Sequence, residues 1–150
     1  MQVFIVGSPL ETAMALDKRR LNRQIQETKV ILDALNGAKA WSNHPCVLQY
    51  RGYEKWLTAY LNVLVHYRRY VVGLCDANYL GAASIQDIVA KDLTPPFHTT
   101  EYFDQMKRRL YTKDPVHYEQ WAHLGTSEDN WYWSQKENKF IKYRNGKRID

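Results

Sequence analysis

The chain has 150 residues, with 21 Lys and Arg against 16 Asp and Glu and a net charge of +5. That length suits one domain with one core, and a hydrophobic share of 45% can fill it. The charge favours a polyanionic partner, although it also serves plain solubility, and 13% aromatic residues add stacking surface to phosphate contacts. Cys46 and Cys75 lie outside any CxxC or zinc spacing, so both are expected as reduced core thiols of a cytosolic protein, with no metal and no cofactor. No apolar run approaches the ~18 residues of a membrane span. The opening "MQVFIVGSP" lacks a basic segment and is short for a signal peptide, so it is expected to remain in the mature protein.

Ser8 to Glu11 reads "SPLE", a capping box with proline at the first helical position. The helix it opens is expected to run to Leu35, where Asn36-Gly37 supplies a C-cap. "WSNHP", Trp41 to Pro45, is a loop into the next helix, with Ser42 or Asn43 as its cap. Gly52 breaks that helix. A long one follows from about Tyr53 to Leu74, with Leu57, Tyr60, Leu61, Leu64, Tyr67 and Val71 on one face. "SIQDIV" starts a short helix after a Ser84 cap, which Pro95-Pro96 ends. Another helix fits Thr100 to Tyr111, and "KDPVHYEQW" opens a further turn or a structured loop. The tail alternates aromatic and polar residues around "QKEN" and reads as a β-hairpin, with an Asn145-Gly146 turn after it. The fold class is mainly α: a compact single-domain helical fold with a small C-terminal β-hairpin.

The opening helix carries an unusual stripe. Asp17, Arg20, Gln24 and Glu27 fall within roughly 80° of one another, beside an apolar arc of Leu10, Met14, Leu21, Ile25, Leu32 and Leu35. A carboxylate beside an arginine on a half-buried shoulder is commonly a structural ion pair. The sharper reading is an acid/base or electrostatic centre at Glu27, with Arg19 and Arg23 turned further round toward phosphates. His44 before Pro45 reads as a cap or turn residue, and His66 as an ordinary core or surface histidine. "WYW", Trp131 to Trp133, reads as packing or as a stacking platform.

Leu16-Asp17, Arg20-Leu21, Gln24 and Glu27, then Asn43-His44-Pro45, then Tyr50, Gly52-Tyr53-Glu54, then Lys113-Asp114-Pro115 and His117-Tyr118 form a set of motifs. Together they resemble the pyrimidine dimer DNA glycosylase/endonuclease V family, over roughly residues 1–121. "SIQDI" resembles a segment of its phage member. The likeness is closer to the cellular and phage branch of the family and more distant from that phage enzyme. The resemblance implies a helical endonuclease V-like domain over residues 1–124; it does not place residues 125–150, which are read from their composition as an aromatic, basic β-hairpin extension of the same domain. It implies a helical fold whose N-terminal segment threads between helices, bringing the chain's own α-amine to the active site.

The implied chemistry is attack of an unprotonated amine on the anomeric carbon, forming an imine. An α-amine suits it because its ordinary pKa, about 7.7–8.0, lies well below that of lysine. A nearby carboxylate stabilises the developing cation and shuttles protons. Glu27 matches the family's catalytic glutamate, and Arg20, Gln24 and Asp17 accompany it. Gln2 departs from the family pattern, in which a small residue becomes the N-terminus. Methionine removal requires a small second residue, so Met1 is expected to stay and to supply the amine. The DNA-binding candidates are Arg19, Arg23, Asn43, His44, Arg51, Lys113, His117 and Tyr118. The expected partner is duplex DNA with a damaged or modified pyrimidine, bound by a monomer in the cytoplasm, at the nucleoid, or in host cytoplasm if phage-encoded. A non-catalytic DNA- or nucleotide-binding module of this fold, and a phage or host protein-interaction factor, are the alternatives.

Overall fold

The computed structural model describes residues 1–73 and 77–150. Cys75, and Leu74 at the expected end of the long helix, lie outside the described residues. Among the described residues, six α-helices precede a small sheet: α1 (Pro9–Ala15), α2 (Lys18–Leu35), α3 (Pro45–Gln49), α4 (Glu54–Val71), α5 (Ala77–Asp92) and α6 (Thr100–Lys113). A short 3-10 helix, Glu119–Leu124, leads into strands β1 (Asn130–Ser134), β2 (Lys139–Arg144) and β3 (Lys147–Arg148). The strands form one antiparallel sheet in the order β1-β2-β3, with Tyr132 opposite Ile141. The mainly α reading therefore holds, and the tail adds a third strand beyond the Asn145-Gly146 turn.

The expected single helix from Ser8 to Leu35 is two. The Ser8 capping box starts α1 as read, but the chain turns extended at Leu16 (ψ 137°) and restarts at Asp17, whose side chain caps α2. No glycine or proline marks this break. It is held from the far end of the chain: the Tyr118 hydroxyl accepts from the Asp17 backbone N–H at 3.1 Å and donates to the Asp17 carboxylate. His117 Nε2 stands 3.2 Å from the Ala15 carbonyl. Because the axis restarts, Met14 does not continue the apolar arc; it is 63% exposed, while Leu21 and Ile25 are buried.

Three other boundaries differ from the sequence reading in part. Of the residues read as caps before Pro45, His44 and not Ser42 or Asn43 caps α3, its Nδ1 accepting from Cys46 N–H at 3.0 Å. Helix α5 begins at Ala77, so Ser84 lies mid-helix and its hydroxyl donates back to the Leu80 carbonyl. Val71 closes α4 on an exposed surface.

Helix α4 is the centre of the core. Trp56, Leu57, Tyr60, Val63 and Leu64 are all at most 1% exposed, and the rings of Tyr50, Trp56 and Tyr60 stack in series. Helix α2 packs on one side of α4, and α1 and α5 pack on it as well. The "WYW" segment packs too: Tyr132 is buried, and Trp133 stacks on Phe97.

The capping carboxylate should make folding sensitive to acid. Burial raises the Asp17 pKa, but hydrogen bonds from Tyr118 and Arg20, with the charge of Arg20, outweigh it and leave it below the ordinary value. A lowered folded-state pKa contributes stability above the unfolded pKa and loses it as pH falls through the folded one. Urea titrations from neutral to acid pH should show this loss in the wild type and a flatter acid limb in Asp17→Asn. Asp17→Ala should cost about 1 kcal/mol at neutral pH through the lost cap.

Candidate active site

The first five residues run through the core outside any regular element and without joining the sheet. Val3 and Ile5 are fully buried, so their neighbours' backbone groups must find partners. Ile5 N–H donates back to the Val3 carbonyl at 3.0 Å, and side chains supply most of the rest. Gln24 Oε1 accepts from Phe4 N–H at 2.5 Å, and Gln24 Nε2 donates to the Gln2 carbonyl at 2.9 Å. One carboxamide thus takes the place of a neighbouring β-strand. It is fixed in turn by the Tyr60 hydroxyl, which donates to Gln24 Oε1 at 2.8 Å. Further along, Val6 N–H donates to Thr12 Oγ1 at 3.0 Å, and Tyr132 Oη donates to the Met1 carbonyl at 3.0 Å. Glu27 accepts from the Gln2 backbone N–H at 3.4 Å.

This threading brings Met1 to a cavity of about 420 Å³. Helix α2 supplies Arg19, Arg20, Arg23, Gln24 and Glu27 to its wall. Helix α6 supplies Arg109 and Lys113, and β1 supplies Asn130. Five cations therefore surround one carboxylate. Arg23 Nε lies 3.4 Å from Glu27 Oε1. Arg20 does not pair with Glu27; it bridges Asp17 at 3.2 Å and Asp114 at 3.7 Å, tying α2 to the end of α6.

The titration of neighbouring groups reports the field. Lys113 is lowered from its ordinary value by burial and then by the charges of Arg109, Arg20 and Arg23, with Glu27 acting the other way. His44 is lowered by burial and by the charge of the α-amino group. Burial pushes the Cys46 thiol up to about 12, a rise that the α-amino charge opposes and Glu27 reinforces. The amine and Glu27 thus act on the same small region of the protein.

Of the sequence candidates, Met1, Arg20, Gln24 and Glu27 meet in the cavity wall, with Arg19, Arg23 and Lys113 around them. Asp17 does not line it and serves as the α2 cap. Tyr118 is fully buried and bonded to Asp17, and His117 braces the α1–α2 turn, so both act on the scaffold rather than on an open surface. His44 is the α3 cap with its ring edge-on to Tyr132. Asn43 and Arg51 are exposed outside the cavity. Arg109 and Asn130 were missed. Arg109 stands four residues before Lys113 on α6, a helical spacing that puts both on one face and is the one signal that could have found it. Among the described residues, no group of three or more His, Cys, Asp or Glu is placed to hold a metal ion. No helix among them is long and apolar enough to cross a membrane.

Residues 1–69 match the family model described as pyrimidine dimer DNA glycosylase, which supports the family resemblance carried by the motifs. The match takes in the threaded N-terminus and all of α2, and stops within α4; the cavity residues of α6 and β1 lie beyond it. No curated protein and no solved structure matches the chain.

Because Gln24 satisfies three partners at once, Gln24→Leu should leave the Gln2 carbonyl, Phe4 N–H and Tyr60 hydroxyl without it. Each buried orphan costs about 1–3 kcal/mol. Urea denaturation should record a loss of at least about 2 kcal/mol, and amide exchange at Phe4 should accelerate before global unfolding.

Proposed function

We propose that the protein is a DNA glycosylase with AP-lyase activity on damaged or modified pyrimidines in duplex DNA. In this reading the Met1 α-amine is the nucleophile and Glu27 the acid/base. The observation that carries it is the threaded N-terminus, anchored by Gln24, opening beside Glu27 in a cavity ringed by cations. The family match over residues 1–69 supports the same chemistry. A structural ion pair would not require the chain's own terminus to run through the core to reach it.

Each group has a task. The unprotonated amine attacks C1′ of the damaged nucleotide, and the bond from C1′ to the base breaks. The base leaves with the electron pair and takes up a proton. The nitrogen loses its proton, and opening of the sugar ring at the C1′–O4′ bond gives the protonated imine. Removal of a C2′ proton then expels the 3′-phosphate by β-elimination. Glu27 faces the positive charge that develops on the sugar and carries the protons. Arg19, Arg20, Arg23, Arg109 and Lys113 meet phosphates on either side of the lesion. The missed Arg109 joins this set because it occupies the same wall as Lys113.

Borohydride reduces an imine to a stable secondary amine, so trapping on abasic oligonucleotides should give a covalent protein–DNA adduct that peptide mapping places at Met1. Acetylation of the N-terminus should abolish strand cleavage and leave DNA binding in place. Glu27→Gln should slow the reaction on the order of 10²–10⁴-fold, the usual contribution of a general acid–base group. Undiminished cleavage in Glu27→Gln, or an adduct mapped to a lysine, would remove the corresponding assignment.

A further inference from the structure

A second cavity, also about 420 Å³, lies between α2 and α4. Arg23 belongs to both cavities, so one wall is shared. The second is lined by Lys29 of α2 and by Arg68 and Arg69 of α4 in addition to Arg23, and none of its lining residues is acidic. Two of these cations are held in place. Arg68 donates its Nε–H to the Asn22 carboxamide oxygen, and the Arg69 guanidinium lies 5.9 Å from the centre of the Tyr79 ring. Lys29 and Arg69 are exposed. Among the described residues, neither they nor Arg68 forms an ion pair with a carboxylate.

We propose that this α2–α4 groove is a second phosphate-binding site, through which a DNA strand continues from the catalytic cavity across Arg23. The proposal rests on the glycosylase reading and extends its contact surface to residues that chemistry at Glu27 does not need. Clustered cations repel one another, and among the described residues only Arg23 of the four has a carboxylate partner, so a polyanion is the complementary ligand. The shared Arg23 gives the path its direction. In the free protein Arg23 pairs with Glu27, yet its side chain is 73% exposed, so a phosphate in the groove competes for it. A strand lying there neutralises the groove and draws the guanidinium away from the carboxylate that the chemistry uses.

Counterion release provides the test, because the log–log salt dependence of duplex binding steepens by about 0.9 for each phosphate neutralised. Fluorescence anisotropy with a labelled undamaged duplex, titrated over salt concentration, reads this slope in the full-length protein. Lys29→Gln/Arg68→Gln/Arg69→Gln should bind with a slope shallower by roughly 2 to 3. Because Arg68 also holds Asn22, the exposed pair Lys29→Gln/Arg69→Gln serves as a second variant, with an expected loss of roughly 1 to 2. Lys91→Gln/Lys136→Gln/Lys147→Gln removes the same charge from exposed positions elsewhere and should keep the wild-type slope. Unchanged slopes in both groove variants, or an equal loss in the control, would overturn the second site. Borohydride trapping on abasic DNA separates the two levels. Trapping with unaltered groove slopes would sink only this inference, whereas absence of both trapping and DNA binding in the wild type would sink the glycosylase reading with it.

Discussion

The structure depends on one carboxamide. A buried extended segment without a sheet partner is a costly thing to build, since each backbone donor and acceptor must be matched away from water. Gln24 matches two of them with a single planar group and is oriented by Tyr60 from the central helix. Thr12, Tyr132 and Glu27 match others, the Tyr60 hydroxyl also reaches the Phe4 carbonyl, and Ile5 N–H turns back to the Val3 carbonyl. The N-terminus is thereby a fixed structural element.

The second constraint is electrostatic. Arg19, Arg20, Arg23, Arg109 and Lys113 converge around Glu27 in one concavity, and such a cluster opposes folding through mutual repulsion. The protein limits it by pairing Arg20 with Asp17 and Asp114, and Arg109 with Glu128 at 3.8 Å. Arg19, Arg23 and Lys113 remain more open to solvent. The arginines thus divide between holding helices together and facing the cavity mouth. Arg20 contributes to both, since the charge that binds Asp17 also lowers the pKa of Lys113.

The site is assembled from both ends of the chain. Residues 1–69, over which the family match runs, provide the threaded segment, the anchoring glutamine and the carboxylate. Helix α6 and the sheet provide the opposite wall: Arg109, Lys113 and Asn130 line the cavity, and Tyr132 holds the Met1 carbonyl. The C-terminal strands therefore act on the position of the first residue, a function that their aromatic and basic composition alone does not suggest.

Much of this was determined by local sequence. The Ser8-Pro9-Leu10-Glu11 capping box, the Asn36-Gly37 stop, the α6 span and the aromatic hairpin all rest on interactions among near neighbours, so a linear reading finds them. The common face of Arg20, Gln24 and Glu27 follows from helical periodicity within α2. What the tertiary structure decided lies at longer range. The break at Leu16-Asp17 depends on Tyr118, one hundred and one residues away, and no nearby breaker residue announces it. Asp17 consequently left the stripe that lines the cavity to become a cap, and Tyr118 and His117 became its supports. The recruitment of Arg109 and Asn130, and the groove formed by Lys29 with Arg68 and Arg69, likewise needed α2, α4, α6 and β1 to be set in space. Periodicity gives the direction of a side chain from its own helix axis. Whether that direction meets solvent, a partner or a cavity is fixed only when the other elements pack around it.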